Sequence, residues 1–293
     1  MANYILLVKK ARWYLKETIK DFCSFNSKVF LVGYAGSRNF GDGLNLPFVT
    51  KISKKHAIVH KFSLLQKIRC KPFANYSIIG SVMGHCDSNT IVWGTGCISK
   101  DSLPKNVPRK ICAVRGPLTR QVLLDNNIKC PEVYGDPALL LPCFYKPNIK
   151  VKYKLGIIPH YLDANHKAHS HLEQQGAKII DVNVRHNWKK FVDEVLSCEC
   201  IVSSSLHGLI VADAYSKKTL WCEFSDKILG NRFKYYDYYL SIGINHIEPH
   251  IFKGNEGIND LIDICDKKKS SLDLSALIDA CPFDSISDVI KSS

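Results

Sequence analysis

The sequence predicts an α/β protein made of two doubly wound, Rossmann-like parallel sheets, and three observations carry that expectation. Nine short β-rich apolar runs recur along the chain. They are continuously apolar rather than alternating, as suits strands buried on both faces of a parallel sheet. Gly/Ser/Asn-rich turns and helical patterns of about 10–15 residues separate them, which is the rhythm of βαβ units.

In order, the first set of runs is Val29–Val32, Ala57–His60, Ser77–Ile79, Thr90–Trp93 and Ile111–Val114. The second is Lys154–Ile158, Lys178–Val182, Cys200–Ser203 and Thr219–Cys222. Between them Pro142–Lys152 is Pro-bearing, basic and without period, so the seam belongs there. The expected organisation is a basic amphipathic helix within 1–27, a first domain over 28–146, and a second over 147–293. The helix pattern over 4–22 carries Trp13, Leu15, Ile19 and Phe22 amid Lys9, Lys10, Lys16 and Lys20. It suits either packing across the body or lying on an anionic membrane surface. From Leu261 onward the chain reads as a helix and a second, capped helix beginning near Ser270.

Composition narrows the function classes. With 46% apolar and 23% charged residues the chain is ordinary globular material, and no run reaches the roughly 20 apolar residues of a membrane span. The basic residues follow the short N-terminal apolar stretch instead of preceding it, so a signal peptide is not expected and the protein is placed in the cytoplasm. The 12 cysteines include no C-x-x-C pair, which argues against zinc and for small buried hydrophobes in a reducing compartment. Lys and Arg outnumber Asp and Glu by 40 to 27, which favours anionic partners. No nucleic-acid motif accompanies that charge, so nucleic acid is not an expected partner.

The chemistry-bearing residues cluster at strand ends. Asn39-Phe-Gly-Asp42-Gly-Leu-Asn45 follows the first strand, where Asp42 and Asn45 suit either a helix cap or a ligand contact. Gly80-Ser81 and Gly94-Thr95-Gly96 follow two further strands. Three Gly-rich turns on one carboxyl edge suggest a crevice made for a ligand. Asn39, Asn45, Gly80, Ser81, Gly94 and Thr95 are its candidate lining. Arg115 ends another strand, where it is either a surface residue or a planar grip on phosphate or carboxylate. In Ser203-Ser204-Ser205-Leu206-His207-Gly208 strand, serine cluster and helix follow without a gap. The free amides and positive end of that helix suit an anion. His207 in its first turn is either a core histidine or a proton donor to that anion. Lys227 and Lys234 are solvated lysines or further anion grips. G-x-S-x-G is absent, so a hydrolase elbow is not expected.

Taken in order, these pieces resemble the polysaccharide pyruvyltransferase family, in the branch like the succinoglycan pyruvyltransferase. The pieces are Asn39-Phe-Gly-Asp42-x-Leu-Asn45, Gly80-Ser81, Val92-Trp-Gly-Thr-Gly96 and Val114-Arg115-Gly116. Tyr134-Gly-Asp136-Pro-Ala138, Ile157-Ile-Pro-His160-Tyr161, Ser203-Ser-Ser-Leu-His207-Gly208 and Lys234-Tyr-Tyr-Asp-Tyr-Tyr-Leu-Ser-Ile-Gly243 complete the set. The resemblance implies a fold similar to the two-domain type B glycosyltransferases, with the acceptor on the first domain and the donor on the second. It implies phosphoenolpyruvate as co-substrate, no cofactor or metal, and a pyruvate ketal placed across two hydroxyls of a glycan or lipid-linked oligosaccharide. Arg115 then matches the family's anion-binding arginine and His207 its catalytic histidine. Either Lys227 or Lys234 matches its lysine, and His160 joins the substrate contacts. Asp42 or Asp136 would serve as general base. A type B glycosyltransferase using a nucleotide sugar is the alternative, and a basic protein that only binds anionic polymer or membrane is the non-catalytic one.

Overall fold

A computed structural model describes residues 27–33, 39–59, 74–183 and 187–291. The expected helix over 4–22 and His60 lie outside these residues, as does the part of the first Gly-rich turn over 34–38. In the first half β1 (Lys28–Leu31), β2 (His56–Val59), β3 (Asn75–Ser77), β4 (Thr90–Trp93) and β5 (Lys110–Ala113) form one parallel sheet in the order β2-β1-β3-β4-β5. In the second half β6 (Tyr153–Ile158), β7 (Lys178–Ile179), β8 (Cys198–Ser203), β9 (Lys218–Glu223) and β10 (His250–Ile251) run parallel in the order β10-β9-β8-β6-β7. A short antiparallel strand, β11 (Asp266–Lys267), also pairs with β9. All nine expected runs contain strand. Polar β10 and β11 carry no apolar run that would announce them. β7 is shorter than expected because, as the edge strand, it pairs only with Gly156 and Ile157 of β6.

The helices are α1 (Phe40–Ser53), α2 (Pro117–Asp125), α3 (Lys167–Gln174), α4 (Trp188–Leu196), α5 (Leu206–Ala214) and α6 (Phe233–Ser241). Three short ones follow: α7 (Ile258–Asp263), α8 (Leu274–Asp279) and α9 (Ile286–Lys291). The C-terminal cap differs from expectation. Asp273 caps α8 by accepting from the Ser275 amide, while Ser270 only holds a turn by accepting from the Leu272 amide.

Chain order and packing part company in two places. Trp93 Nε1 on β4 donates to the Leu277 carbonyl at 2.8 Å, and Ser285 donates to the Ile52 carbonyl, so the last helices lie against the first sheet's layer. Helix α6 likewise crosses back to pack on α2. The largest apolar cluster draws on both halves, from Val29 through Phe40 and Trp93 to Phe191, Leu209 and Trp221. The two sheets therefore share a core, and the carboxyl ends of their strands can build one site.

Ten cysteines fall in described residues and all are free, most of them buried. Burial pushes the Cys86, Cys97 and Cys130 thiols up to about 12, which leaves them unreactive at neutral pH.

Candidate functional site

β1, β3 and β4 are parallel neighbours, so the turns that follow them do fall on one carboxyl edge. Asn39 caps α1, its side chain accepting from the Gly41 amide at 3.3 Å. That cap places Asp42 in the first turn, where a methyl added to Gly80 would meet Asp42 Oδ1 at 3.5 Å. Asp42 thus faces the turn after β3. Asn45, one turn further, pairs with both the amide and the carbonyl of Ile79 at 3.0 and 2.9 Å. It imitates a strand ladder and ties α1 to β3, so its side chain is a structural clamp.

Several expected contacts turn out to be committed elsewhere. Thr95 is buried and donates to the Gly80 carbonyl at 2.8 Å; with Gly94, whose φ is +93°, it joins two Gly-rich turns. Ser81 accepts from Arg115 Nη1 at 2.6 Å. Arg115 itself is 0% exposed. Its Nε and Nη2 bond Asp237 Oδ2 at 3.0 and 2.9 Å, and Nη2 also donates to the Cys97 carbonyl. The expected direct grip on a donor is therefore corrected: this guanidinium is spent on a buried ion pair with α6. Gly116 must be glycine beside it, since a Cβ there would lie 1.9 Å from the Asp237 carbonyl oxygen.

The serine cluster divides in the same way. Ser203 accepts from the Ser205 amide at 3.0 Å and lies 2.9 Å from the Ile158 and Ser205 carbonyls. Ser204 donates to Asp163 Oδ2 and accepts from the His160 amide, at 2.9 and 2.8 Å. Their hydroxyls are bonded within the turn and to the segment after β6. Ser205 is the N-cap of α5, yet its side chain makes no capping bond. Leu206 enters the core, and Gly208 packs closely on Ser203 Oγ and Ile158. What the turn offers a ligand is the α5 N-terminus, Ser205 and His207.

Lys234 and Lys227 are separated by the structure. Lys227 is exposed on the loop after β9, and its backbone amide donates to Ser225 Oγ. Lys234 is 8% exposed in the first turn of α6, its ammonium 5.2 Å above the Tyr235 ring. Burial lowers it to about 8, the Arg115 charge adds to that, and Asp42 opposes it. His160 lies in the same field: burial first, then Lys234, pulls its imidazole down to about 3. Its Nδ1 accepts from the Leu162 amide at 3.3 Å, so the neutral ring carries its proton on Nε2. His160 is an uncharged hydrogen-bond donor at any physiological pH.

Asp136 caps the 3-10 segment Pro137–Cys143 by accepting from the Ala138 amide at 3.0 Å. Its other oxygen lies 3.4 Å from His207 Nε2, with both side chains enclosed. The structure turns this carboxylate onto His207 and away from the open edge of the site, so the general-base position expected of Asp136 is corrected to a contact within the fold. Two site-building residues went unremarked in the sequence. Asp163 accepts from Ser204 and Ser225, joining the loops after β6, β8 and β9. Asp237 pairs Arg115 and also accepts from the Thr119 amide and hydroxyl at 2.8 and 2.7 Å. The signal for Asp237 was its place inside the motif that begins at Lys234, whereas Asp163 lies two residues beyond the motif that ends at Tyr161 and carried none.

An α/β protein with Asp42, His160, His207 and Lys234 converging on the carboxyl edges of two parallel sheets is thus defined. Residues 87–226 match the family model for polysaccharide pyruvyl transferases, so this stretch is similar to that family. The match contains Arg115, Asp136, His160 and His207, and it stops before both lysines. Over 195 residues the chain is 28% identical to the uncharacterized protein L143 of Acanthamoeba polyphaga mimivirus, covering 64% of this chain and 68% of that one. Over 220 residues it is 27% identical to the succinoglycan biosynthesis protein ExoV of Rhizobium meliloti, covering 71% of this chain and 63% of ExoV. The family resemblance read from the ordered motifs is therefore the one these comparisons find.

Proposed function

We propose that the protein transfers the enolpyruvyl group of phosphoenolpyruvate onto two hydroxyls of a polysaccharide precursor, forming a pyruvate ketal and releasing phosphate. The observation that carries this is the buried Lys234 ammonium beside neutral His160, at the mouth of a helix N-terminus that presents His207. An anion with one carboxylate and one phosphate suits two such grips: Lys234 with His160 Nε2–H, and the α5 amides with Ser205. The two sheets and their shared crevice agree with a type B glycosyltransferase-like arrangement.

In this reading His207 gives a proton to the methylene carbon, leaving the carbon that bears carboxylate and phosphate electron-poor. One sugar hydroxyl adds to that carbon, and its proton returns to His207. The carbon–oxygen bond to phosphate then breaks, with the electron pair leaving on phosphate. The second hydroxyl adds in its place, and its proton passes through Asp42 to the departing phosphate. Arg115 acts from behind, holding Ser81 and α6 in position. Among the described residues no helix is long and apolar enough to cross a membrane. We place the reaction in the cytoplasm, on a glycan that is free or lipid-linked at the membrane's inner face.

Thermal shift with candidate donors tests the reading. At 100 times its Kd a ligand adds about 2.7 kcal/mol, so phosphoenolpyruvate should raise the melting temperature measurably. Stabilisation by UDP- or CMP-sugars with none by phosphoenolpyruvate would replace this reading with a glycosyltransferase.

A further inference from the structure

His207 and Asp136 come from different halves of the fold, and their contact has an unusual form. Nε2 and Oδ2 are 3.4 Å apart, too poorly aligned for a good hydrogen bond, yet both atoms are fully enclosed and neither has another partner among the described residues. Each is left with only the other. The Asp136 carboxylate cannot turn away, because its first oxygen is held by the Ala138 amide. Catalytic contacts are often long before substrate binds and tighten afterwards. The ring's other edge lies over α1: a Cβ on Gly41 would stand 2.2 Å from Nδ1 and 2.3 Å from Cε1. Gly41 has no positive φ, and glycine is disfavoured inside a helix. Its backbone does not need glycine; the imidazole does.

We infer that Asp136 is a positioning residue that, together with Gly41, fixes one His207 proton on Nε2 and makes Nδ1 the nitrogen that exchanges protons with substrate. As imidazolium the ring gives the Nδ1 proton to the methylene carbon, and as the neutral Nε2–H tautomer it takes the hydroxyl's proton back at Nδ1. The inference rests on the reading of His207 as proton donor, but the tautomer itself does not. A carboxylate facing one ring nitrogen fixes the proton there and leaves the other to react.

Nitrogen NMR of the full chain labelled with 15N-histidine tests the tautomer directly, with His207→Gln assigning the signal. Neutral His207 should show a protonated Nε2 and a bare Nδ1. Asp136→Asn keeps an oxygen for the Ala138 amide but turns an NH2 toward Nε2, so the proton should move to Nδ1. Turnover should then fall roughly 10²–10⁴-fold, while the phosphoenolpyruvate-induced melting shift stays. Gly41→Ala should lower turnover with that shift likewise retained. A bare Nε2 in the unsubstituted protein, an unmoved tautomer in Asp136→Asn, or normal turnover in Gly41→Ala would each overturn the assignment. If phosphoenolpyruvate proves not to be the donor, the tautomer measurement still decides the pairing, so the two failures are distinct.

Discussion

Replacing Lys234 with Met should stabilise the fold while weakening donor binding. The ammonium sits 8% exposed in a site where burial and Arg115 hold its pKa near 8, against 10.5 in a free chain. At about 1.36 kcal/mol per pKa unit, keeping that charge folded costs about 3 kcal/mol at neutral pH. Met keeps the stem's packing and removes the charge. At about 2 °C per kcal/mol for a chain this long, the variant should melt about 6 °C higher at pH 7. The sign of the pH dependence follows from a folded pKa that lies below the unfolded one. The cost is full below pH 8, and between about 8 and 10.5 the unfolded chain binds more protons, so wild-type stability recovers. The gap in melting temperature should therefore close over that window. In the same variant phosphoenolpyruvate should bind roughly 10–150-fold more weakly, the worth of a charge-assisted hydrogen bond of about 1.5–3 kcal/mol. Scanning calorimetry from pH 7 to 10.5, with and without phosphoenolpyruvate, reads both effects. A Lys234→Met protein that melts lower at pH 7, or a gap that stays constant to pH 10.5, would refute the argument.

Three further outcomes are expected. His207→Ala should lower turnover by about 10²–10⁴-fold, the usual worth of general acid catalysis, with donor affinity nearly unchanged; phosphate release against phosphoenolpyruvate titration separates the two. Asp237→Ala strands the fully enclosed Arg115 guanidinium and should cost about 3–5 kcal/mol in urea denaturation, whereas replacing both partners with apolar residues should recover much of it. Asp213, half-buried and bonded by Thr219 and Tyr238 at 2.8 and 2.9 Å, is raised by desolvation to about 6. Its folded pKa lies above the unfolded one, so wild-type stability should fall as pH rises from about 4 to 6. Asp213→Asn should lack that slope in melting curves.

What the sequence determined by itself is the architecture and the neighbourhood of the site. Continuous apolar runs such as Thr90–Trp93 and Cys200–Ser203 mark strands, because burial on both faces leaves no room for polar alternation. Parallel strands then send every following turn to one edge, so Asp42, Ser81, Arg115, His160 and His207 had to lie near one another. Only the tertiary structure decided which of them face the crevice. Arg115 and Lys234 are both cations at the ends of βα units, and no local pattern says that Asp237, 122 residues from Arg115, neutralises one of them and not the other. Ser203, Ser204 and Ser205 are adjacent and chemically alike, yet the pleat and the helix start turn two inward to Ile158 and Asp163 and leave one at the helix mouth. Asp136 and Asp42 were equal candidates for a base until the packing of the two halves sealed one against His207 and set the other beside Gly80. The reason is physical: a strand or helix is specified by neighbours a few residues away, whereas the role of a charged side chain is fixed by partners and solvent that the chain brings together only when it folds.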